Sequence, residues 1–505
     1  MKPMERPLFS RTGSISPGRS VFDLSYSKMF DCDMGQLIPV MCDECVPGDR
    51  FQIGNESVLR FTPLVAPIMH EINQYVHYYF VPYRLLWDDW EDFITGGKDG
   101  DNVSVLPRWE PTNTAKGSLW DYFGFPVGVD PDGAYPMDFP RAAYNFIYNE
   151  YYRDENLIDE VDLDQETILK RAWMKDYFTS ALPWQQRGTA PALPLSGTTS
   201  ATWDAADFAN IGGGSETLKA ITGAADPRFY VTDAQAQANF RAAFGSNTVN
   251  FAAATTFNVS DLRLAFQIQK WMERNARAGA RYTEFLQAHF GVSPRDERLQ
   301  RPEYLGGSKT PVLVSEVLQT SGTGISGGTT PQGNMAGHAI SVDQNFCVDY
   351  NVKEYGLIMG ILSIMPKPAY CQGINRQWLR ETRYDFYSPE FANLSEQAIV
   401  RAEIYASGVA AENATIFGYQ GRYDEMRYKP NMFAGNMRDS NMDYWHMGRI
   451  FTSLPGLNSD FIEADPTTRI FAVTDEEADT IYAQIINRVK VNRKLPRFGI
   501  PSTLK

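Results

Sequence analysis

Four short stretches of this 505-residue chain carry residue types that could do chemistry. "HEINQYVH" opens like a zinc-hydrolase signature, which needs two histidines four residues apart on one helix face with a glutamate between them. Here His70 and His77 are seven apart, in a stretch of strand composition, on opposite faces. They read as packed or interfacial side chains. "CDEC" places Cys42 and Cys45 at C-x-x-C spacing, but a structural zinc site wants a second pair. Cys347 and Cys371 stand alone, Cys32 has the wrong spacing, and the acids between Cys42 and Cys45 would raise a thiol pKa. "VDLDQET" sets Asp162, Asp164 and Glu166 as in a calcium loop, yet Thr167 stands where the turn needs glycine. "WDDWEDF" (Trp87 to Phe93) could supply paired carboxylates for glycoside chemistry. Acids between bulky aromatics are more simply a solvated rim. No His-x-His occurs, "GGGSETLK" lacks a phosphate-loop Gly-Lys-Ser/Thr, and the chain has five histidines. The expectation is a protein that is not an enzyme and takes no metal and no cofactor.

Two charged stretches suit binding better than catalysis. "GVSPRDERLQRPEYLGG" (Gly291 to Gly307) predicts a short helix capped by Ser293, with Pro294 at its first position and Pro302 as its stop. Arg295, Arg298 and Arg301 then recur every third residue on one side, with Tyr304 just beyond. Guanidinium groups without a phosphate loop suit bidentate pairing with carboxylates of a neighbouring subunit. The C-terminal stretch "NRVKVNRKLPRFGIPSTLK" carries Arg488, Lys490, Arg493, Lys494, Arg497 and Lys505, with no acid after Asp479. Phe498 adds a stacking face. Basic groups with an aromatic hold single-stranded nucleic acid. Pairing with an acidic part of the same protein is the equal alternative.

The elements that must position these residues are mostly strands. Residues 1–50 read as an irregular arm, rich in Pro, Gly and Asp. Residues 51–186 begin with strands. In the second, Ile72, Val76, Tyr78 and Phe80 form one face, Tyr75, His77, Tyr79 and Val81 the other, and Pro82 ends it. "PRAAYNFIYNEYYRDENL" has helical spacing, with Tyr144, Ile147, Tyr148 and Tyr151 on one stripe. Residues 187–256 are rich in Ala, Gly, Thr and Ser and weakly patterned, which predicts a surface insertion. A helical insertion over 260–301 follows, with Ser260 as cap, a break near Gly279 and Gly291 at its end. Strands return over "PVLVSEVLQT", "HAISVDQNFCVDY" and "EYGLIMGILSIMPKPAY"; the rest of 257–505 is loop-rich and ends in a basic tail, 488–505. The sum is a mainly β sandwich or jelly roll with large loop insertions and some α-helix.

Bulk properties agree. A formal net charge of −14 argues against a surface that coats nucleic acid everywhere. Aromatics at 13% suit subunit interfaces. Five cysteines fit reduced thiols rather than a disulfide framework. The longest apolar run, Gly356 to Pro366, is too short to cross a bilayer, so no membrane insertion is expected. The opening residues have no signal-peptide core.

Several blocks, in one order, resemble the major capsid protein of gokushoviruses, small bacterial viruses of the Microviridae with circular single-stranded DNA. They are "RSVFDLSYSKMFDCDMGQLIPV", "YNFIYNEYYRDENL", "LPWQQRG", "AFQIQKWMERNARAGARY", "AHFGVSPRDERLQRPEYLGG" and "GYQGRYDEMRYKPNMFAGNMR". The resemblance implies one eight-stranded antiparallel jelly roll, assembled in many copies into a T=1 icosahedral shell around the genome. It implies that 187–256 forms a three-fold protrusion meeting a host cell-surface receptor, with glycan as one candidate. It implies partners in viral single-stranded DNA and in scaffolding, pilot and small basic DNA-binding proteins. It implies that the protein lies in the virion, after assembly in the bacterial cytoplasm. In the last block, Arg422, Tyr423, Arg427 and Tyr428 join the candidate subunit-contact residues. The rival reading is a carbohydrate-binding or carbohydrate-cleaving β-sandwich that uses "WDDWEDF"; a jelly-roll oxygenase is disfavoured by the missing His-x-His.

Overall fold

The computed structural model describes residues 18–191, 219–220, 229–230, 259–279, 281–318, 335–473 and 479–497. Strands of three or more residues are β1 Ser20–Asp23, β2 Tyr26–Cys32, β3 Ile38–Cys45, β4 Arg50–Phe61, β5 Ile72–Pro82 and β6 Glu303–Pro311. They continue with β7 Leu313–Leu318, β8 Met335–Asn351, β9 Gly356–Pro366, β10 Glu396–Val400, β11 Ile416–Gly421 and β12 Ile481–Arg493.

Two antiparallel sheets make the sandwich. One runs β1–β12–β4–β8–β7, with β2 also paired to β12; the other runs β3–β9–β5–β6. Their facing sides share one core, in which Phe51, Ile53, Ile485 and Val489 meet Val76, Phe80, Ile358 and Leu362. The expected faces of β5 are observed: Ile72, Val76, Tyr78 and Phe80 enter that core, while Tyr79 and Val81 point the other way. There they meet a second core built from the long connection after β5, with Trp109, Trp120, Phe139 and Tyr144. The four-stranded sheet is thus covered on both sides, which is why all eleven residues of β9 are buried and its sequence is apolar but for Ser363. The other sheet is open to solvent on its outer side, and β12 alternates accordingly: Ile481, Ala483, Ile485, Val489 and Val491 buried, Tyr482, Gln484, Arg488 and Lys490 exposed.

Three sequence expectations need correction. Residues 20–45 are not an irregular arm: β1 and β2 pair with β12, and β3 pairs with β9. The basic segment does not start as a tail, because residues 481–493 lie between β4 and the N-terminal strands. Ten strand segments make up the two sheets among the described residues, against eight expected; β1 and β2, parted at Leu24–Ser25, both pair with β12, and at Val312 the chain crosses from one sheet to the other.

The expected interior helix is α3 Phe139–Ile147, following the short α1 Trp90–Thr95 and α2 Leu119–Tyr122. It runs on as a π turn over Tyr148–Tyr152 and stops there because Arg153 is extended. Tyr144, Ile147 and Tyr148 are buried as their spacing predicts, with Tyr151 partly buried beside them. Helix α4 Val259–Ala278 begins one residue before Ser260, so Ser260 is not its cap. It breaks at Gly279 (φ +110°), where a Cβ would collide with the Glu284 carboxylate. Helix α5 Tyr282–Phe290 ends at Gly291 in the left-handed region, as expected. The chain divides into two compact units, one of residues 1–185 with 276–505 and one of residues 186–275. In the second, the two-residue strands Lys219–Ala220 and Phe229–Tyr230 pair antiparallel.

The buried and exposed sides of β12 should respond differently. Ile485→Ala is expected to cost about 2–5 kcal/mol through loss of core contacts, and Arg488→Ala to change stability far less, as one member of an exposed pair. Urea unfolding midpoints check both.

Candidate subunit-contact surfaces and the basic strand

The charged turn folds as α6 Asp296–Leu299, capped by extended Arg295 rather than by Ser293, with Pro294 outside the helix. Asp296 is its organising group. It pairs with Arg301 at 2.6 Å and lies 3.4 Å from the Tyr151 hydroxyl. That hydroxyl donates to the Pro302 carbonyl at 2.6 Å, and the Arg301 guanidinium covers the Tyr151 ring at 5.3 Å. Glu297 pairs with Lys353 at 2.6 Å. Arg84 bonds Gln300, whose left-handed backbone (φ +57°) ends the helix. The turn is therefore fixed to the sandwich. Of the three arginines aligned in the sequence, Arg301 is used internally, while Arg295 and Arg298 stand exposed. Tyr304 is half-exposed, packed edge-on to His77. His77 itself bonds Tyr152 at 2.9 Å, and burial, then nearby Arg171, pushes its pKa down to about 4. It is a neutral packed side chain. His70 lies just before β5 and bonds the Lys367 carbonyl.

The second candidate cluster sits after β11, at α7 Asp424–Arg427. Sequence reading missed its centre, Arg277 at the end of α4. Arg277 reaches Glu396 at 2.5 Å, Gln420 at 3.2 Å and Asp424 at 3.2 Å. The Glu396 side chain is fully buried, and burial, partly offset by Arg277, raises its pKa. Gly421 is required here, since a Cβ would strike the Arg277 guanidinium. Tyr423 is 3% exposed and left-handed (φ +64°), and Arg422 covers its ring at 5.0 Å. Arg427 pairs with Asp424, and Tyr428 is exposed. The partners of Arg277 lie more than a hundred residues away along the chain, where local pattern does not point to them.

The basic segment is paired in part. Arg488 meets Glu56 at 3.0 Å and Arg493 meets buried Asp49 at 2.7 Å. Lys490, Lys494 and Arg497 are exposed; Phe498 and Lys505 lie outside the described residues. Next to Arg493, burial lifts Asp43 to about 6 against the opposing pull of that arginine, and one of its carboxylate oxygens has no partner.

Two of the motifs weighed for metal binding are held by internal contacts. Glu166 accepts from Trp109 Nε1, the Thr112 hydroxyl and two backbone amides, and pairs with Arg141. Burial works to raise its pKa, but these donors hold it below the usual range. The Cys42 thiol is pushed up to about 12 by burial and then by Asp43. No cluster of three metal-ligating side chains occurs among the described residues, and none of their helices is long and apolar enough to cross a membrane.

The family described as "Capsid protein (F protein)" matches residues 11–503. The chain is 34% identical to the capsid protein VP1 of Chlamydia phage 1, over 98% of this chain and 97% of that one. It is 33% identical to the capsid protein VP1 of Bdellovibrio phage phiMH2K, with the same coverage. It is 32% identical to the capsid protein VP1 of Spiroplasma virus 4, over 88% of each.

Asp43 gives a pH signature with a defined sign. Its folded pKa lies above the unfolded value of about 3.9, so the fold binds its proton more tightly. The stability it contributes is complete below that unfolded value and is lost as pH rises through about 6. Asp43→Asn should therefore raise the melting temperature at pH 8 and leave it nearly unchanged at pH 4. A scan of both proteins across that range checks it.

Proposed function

The chain belongs to the phage capsid protein (F protein) family, a structural component of the virion, and from that premise we propose how it builds the particle. As a major capsid protein it assembles with copies of itself. The shell we propose is a T=1 icosahedron enclosing circular single-stranded DNA, formed in the bacterial cytoplasm without enzymatic activity of the chain. Scaffolding, pilot and small basic DNA-binding proteins assist it. A separate basic protein fits a coat whose own charge is −14.

The observation that carries the contact reading is the division of labour in the charged turn. Asp296, Glu297 and Arg301 fix it, and Arg295 and Arg298 project from a rigid base. Guanidinium groups held this way lose little freedom on meeting a carboxylate of the next subunit. Tyr304, Arg427 and Tyr428 extend the contact, with Arg422 and Tyr423 supporting it from within. The inner face is assigned to Arg488, Lys490, Arg493, Lys494, Arg497 and Phe498. Arg488 and Arg493 set the strand through Glu56 and Asp49. That leaves Lys490, Lys494 and Arg497 as the phosphate contacts. Residues 187–256 are assigned to a three-fold protrusion that meets a host receptor, with glycan as its candidate chemistry.

Charge reversal at Arg295 and Arg298 together should abolish particles, as seen by negative-stain microscopy and light scattering, while the subunit keeps its melting temperature. Normal particles from that variant would overturn the contact reading. Deletion of 187–256 should leave shells that lack projections and no longer adsorb to host cells. Reversal at Lys494 and Arg497 should lower the DNA content per particle, read from the 260/280 nm absorbance ratio.

A further inference from the structure

A surface outside the candidate contacts is built like a binding hot spot. In the loop before β10, Tyr384, Phe386 and Tyr387 are 53%, 56% and 55% exposed. Arginines lie against two of these rings: Arg383 is 4.8 Å from the Tyr384 ring and Arg380 is 5.3 Å from the Phe386 ring. The loop is not loose. Asp385 accepts from the Thr382 amide at 2.7 Å and the Glu381 amide at 3.2 Å. Arg422 donates to the Tyr384 carbonyl at 2.9 Å. Tyr423, buried beneath, donates to the Phe386 carbonyl at 3.1 Å and packs its ring 5.1 Å from Tyr387. Three large rings are thus presented to solvent by a backbone bonded on both sides.

Exposed aromatics have a cost in water, and a fixed loop that presents them has already met the ordering cost of binding. Between residues 371 and 450 the chain carries eight arginines and one lysine. Aromatics with arginine, and little lysine, are the composition of protein contact cores. Nucleic acid fits less well. From Ile374 to Ser395 three arginines (376, 380, 383) are balanced by Glu381, Asp385 and Glu390, so no positive excess faces a phosphate chain.

We propose that Tyr384, Phe386 and Tyr387, with Arg383, form an anchor that docks onto a second copy of this chain, and that Arg380, paired with buried Glu425, and Arg422 and Tyr423 hold the anchor in shape. This rests on the reading of the chain as a self-assembling coat and adds to it a contact distinct from Arg295 and Arg298. It also gives Arg422 and Tyr423 a positioning role.

The test compares the full-length chain with Phe386→Ser and with Tyr423→Phe, by sedimentation equilibrium at rising concentration and by particle yield. Melting temperatures verify that each variant folds. Phe386→Ser should weaken self-association about tenfold or more, as loss of a central aromatic does. Tyr423→Phe, which keeps every exposed ring, should weaken it less. Association of Phe386→Ser equal to wild type would overturn the anchor while leaving the coat reading intact. A wild-type chain that stays monomeric at its solubility limit would overturn it also, and only failure to form particles with the viral assembly partners would reach the coat reading itself. Binding of a fluorescent oligothymidylate of about twenty nucleotides, lost in Phe386→Ser, would reassign the surface to the genome.

Discussion

The placement of β12 is the constraint on which the fold depends. Residues 481–493 enter the sheet between β4 and the first two strands, so one segment near the C-terminus pairs on one edge with Ser20–Asp23 and Tyr26–Cys32 and on the other with Arg50–Phe61. Its inward residues Ile485, Val489 and Val491 fill the same core as Phe51 and Ile53. Until this strand arrives, β4 has an open edge and the core lacks one wall. Such pairing closes a loop of more than four hundred residues, and long closures are slow. The sandwich is therefore complete only once residues 481–493 have paired. For a subunit that meets copies of itself, late completion delays exposure of a finished contact surface.

The parts of the fold legible in the sequence are those where one physical signal acted alone. β5 alternates two faces that are mostly apolar, Asn73, Gln74 and His77 apart, and both faces are covered as that pattern requires. Gly279 and Gly291 mark helix ends because only glycine takes the left-handed backbone there without strain. β12 was obscured by a competing signal. Its period-two pattern is present from Ile481 to Val491, but the exposed positions hold Arg488 and Lys490, and a run of basic residues reads as a tail. The first strands were hidden likewise by Pro39, Asp31, Asp33 and Asp43 among short apolar runs. Their strand character comes from partners far along the chain, which local pattern cannot supply.

The contact residues were half legible, for a related reason. Sequence spacing put Arg295, Arg298 and Arg301 on one side of a helix, and one short helix is there. It could not say which arginine is satisfied internally. That is decided by Asp296 and by Tyr151, about 150 residues earlier, whose ring and hydroxyl engage the same turn. The same holds for Arg422 and Tyr423, whose partners lie in the loop around Phe386.

A common device explains how a chain so rich in loops keeps defined surfaces. The four-stranded sheet is rigid because both its faces are packed, but the segments after β9 have little sheet to rest on. There, buried carboxylates take over: Glu396 with Arg277, Glu403 with Arg376, and Glu425 with Gln397 and Arg380. Each joins loops distant in sequence, and each leaves a charge without its partner if the loops separate. Removing one member would strand a buried ion, which is far more costly than losing an exposed pair. One guanidinium can also tie several groups at once, as Arg277 does with Glu396, Gln420 and Asp424. Arginine thus does two jobs in this chain, locking loops from beneath with carboxylates and framing exposed rings from above. A closed shell needs both, because every copy must present the same shape to its neighbours before they meet.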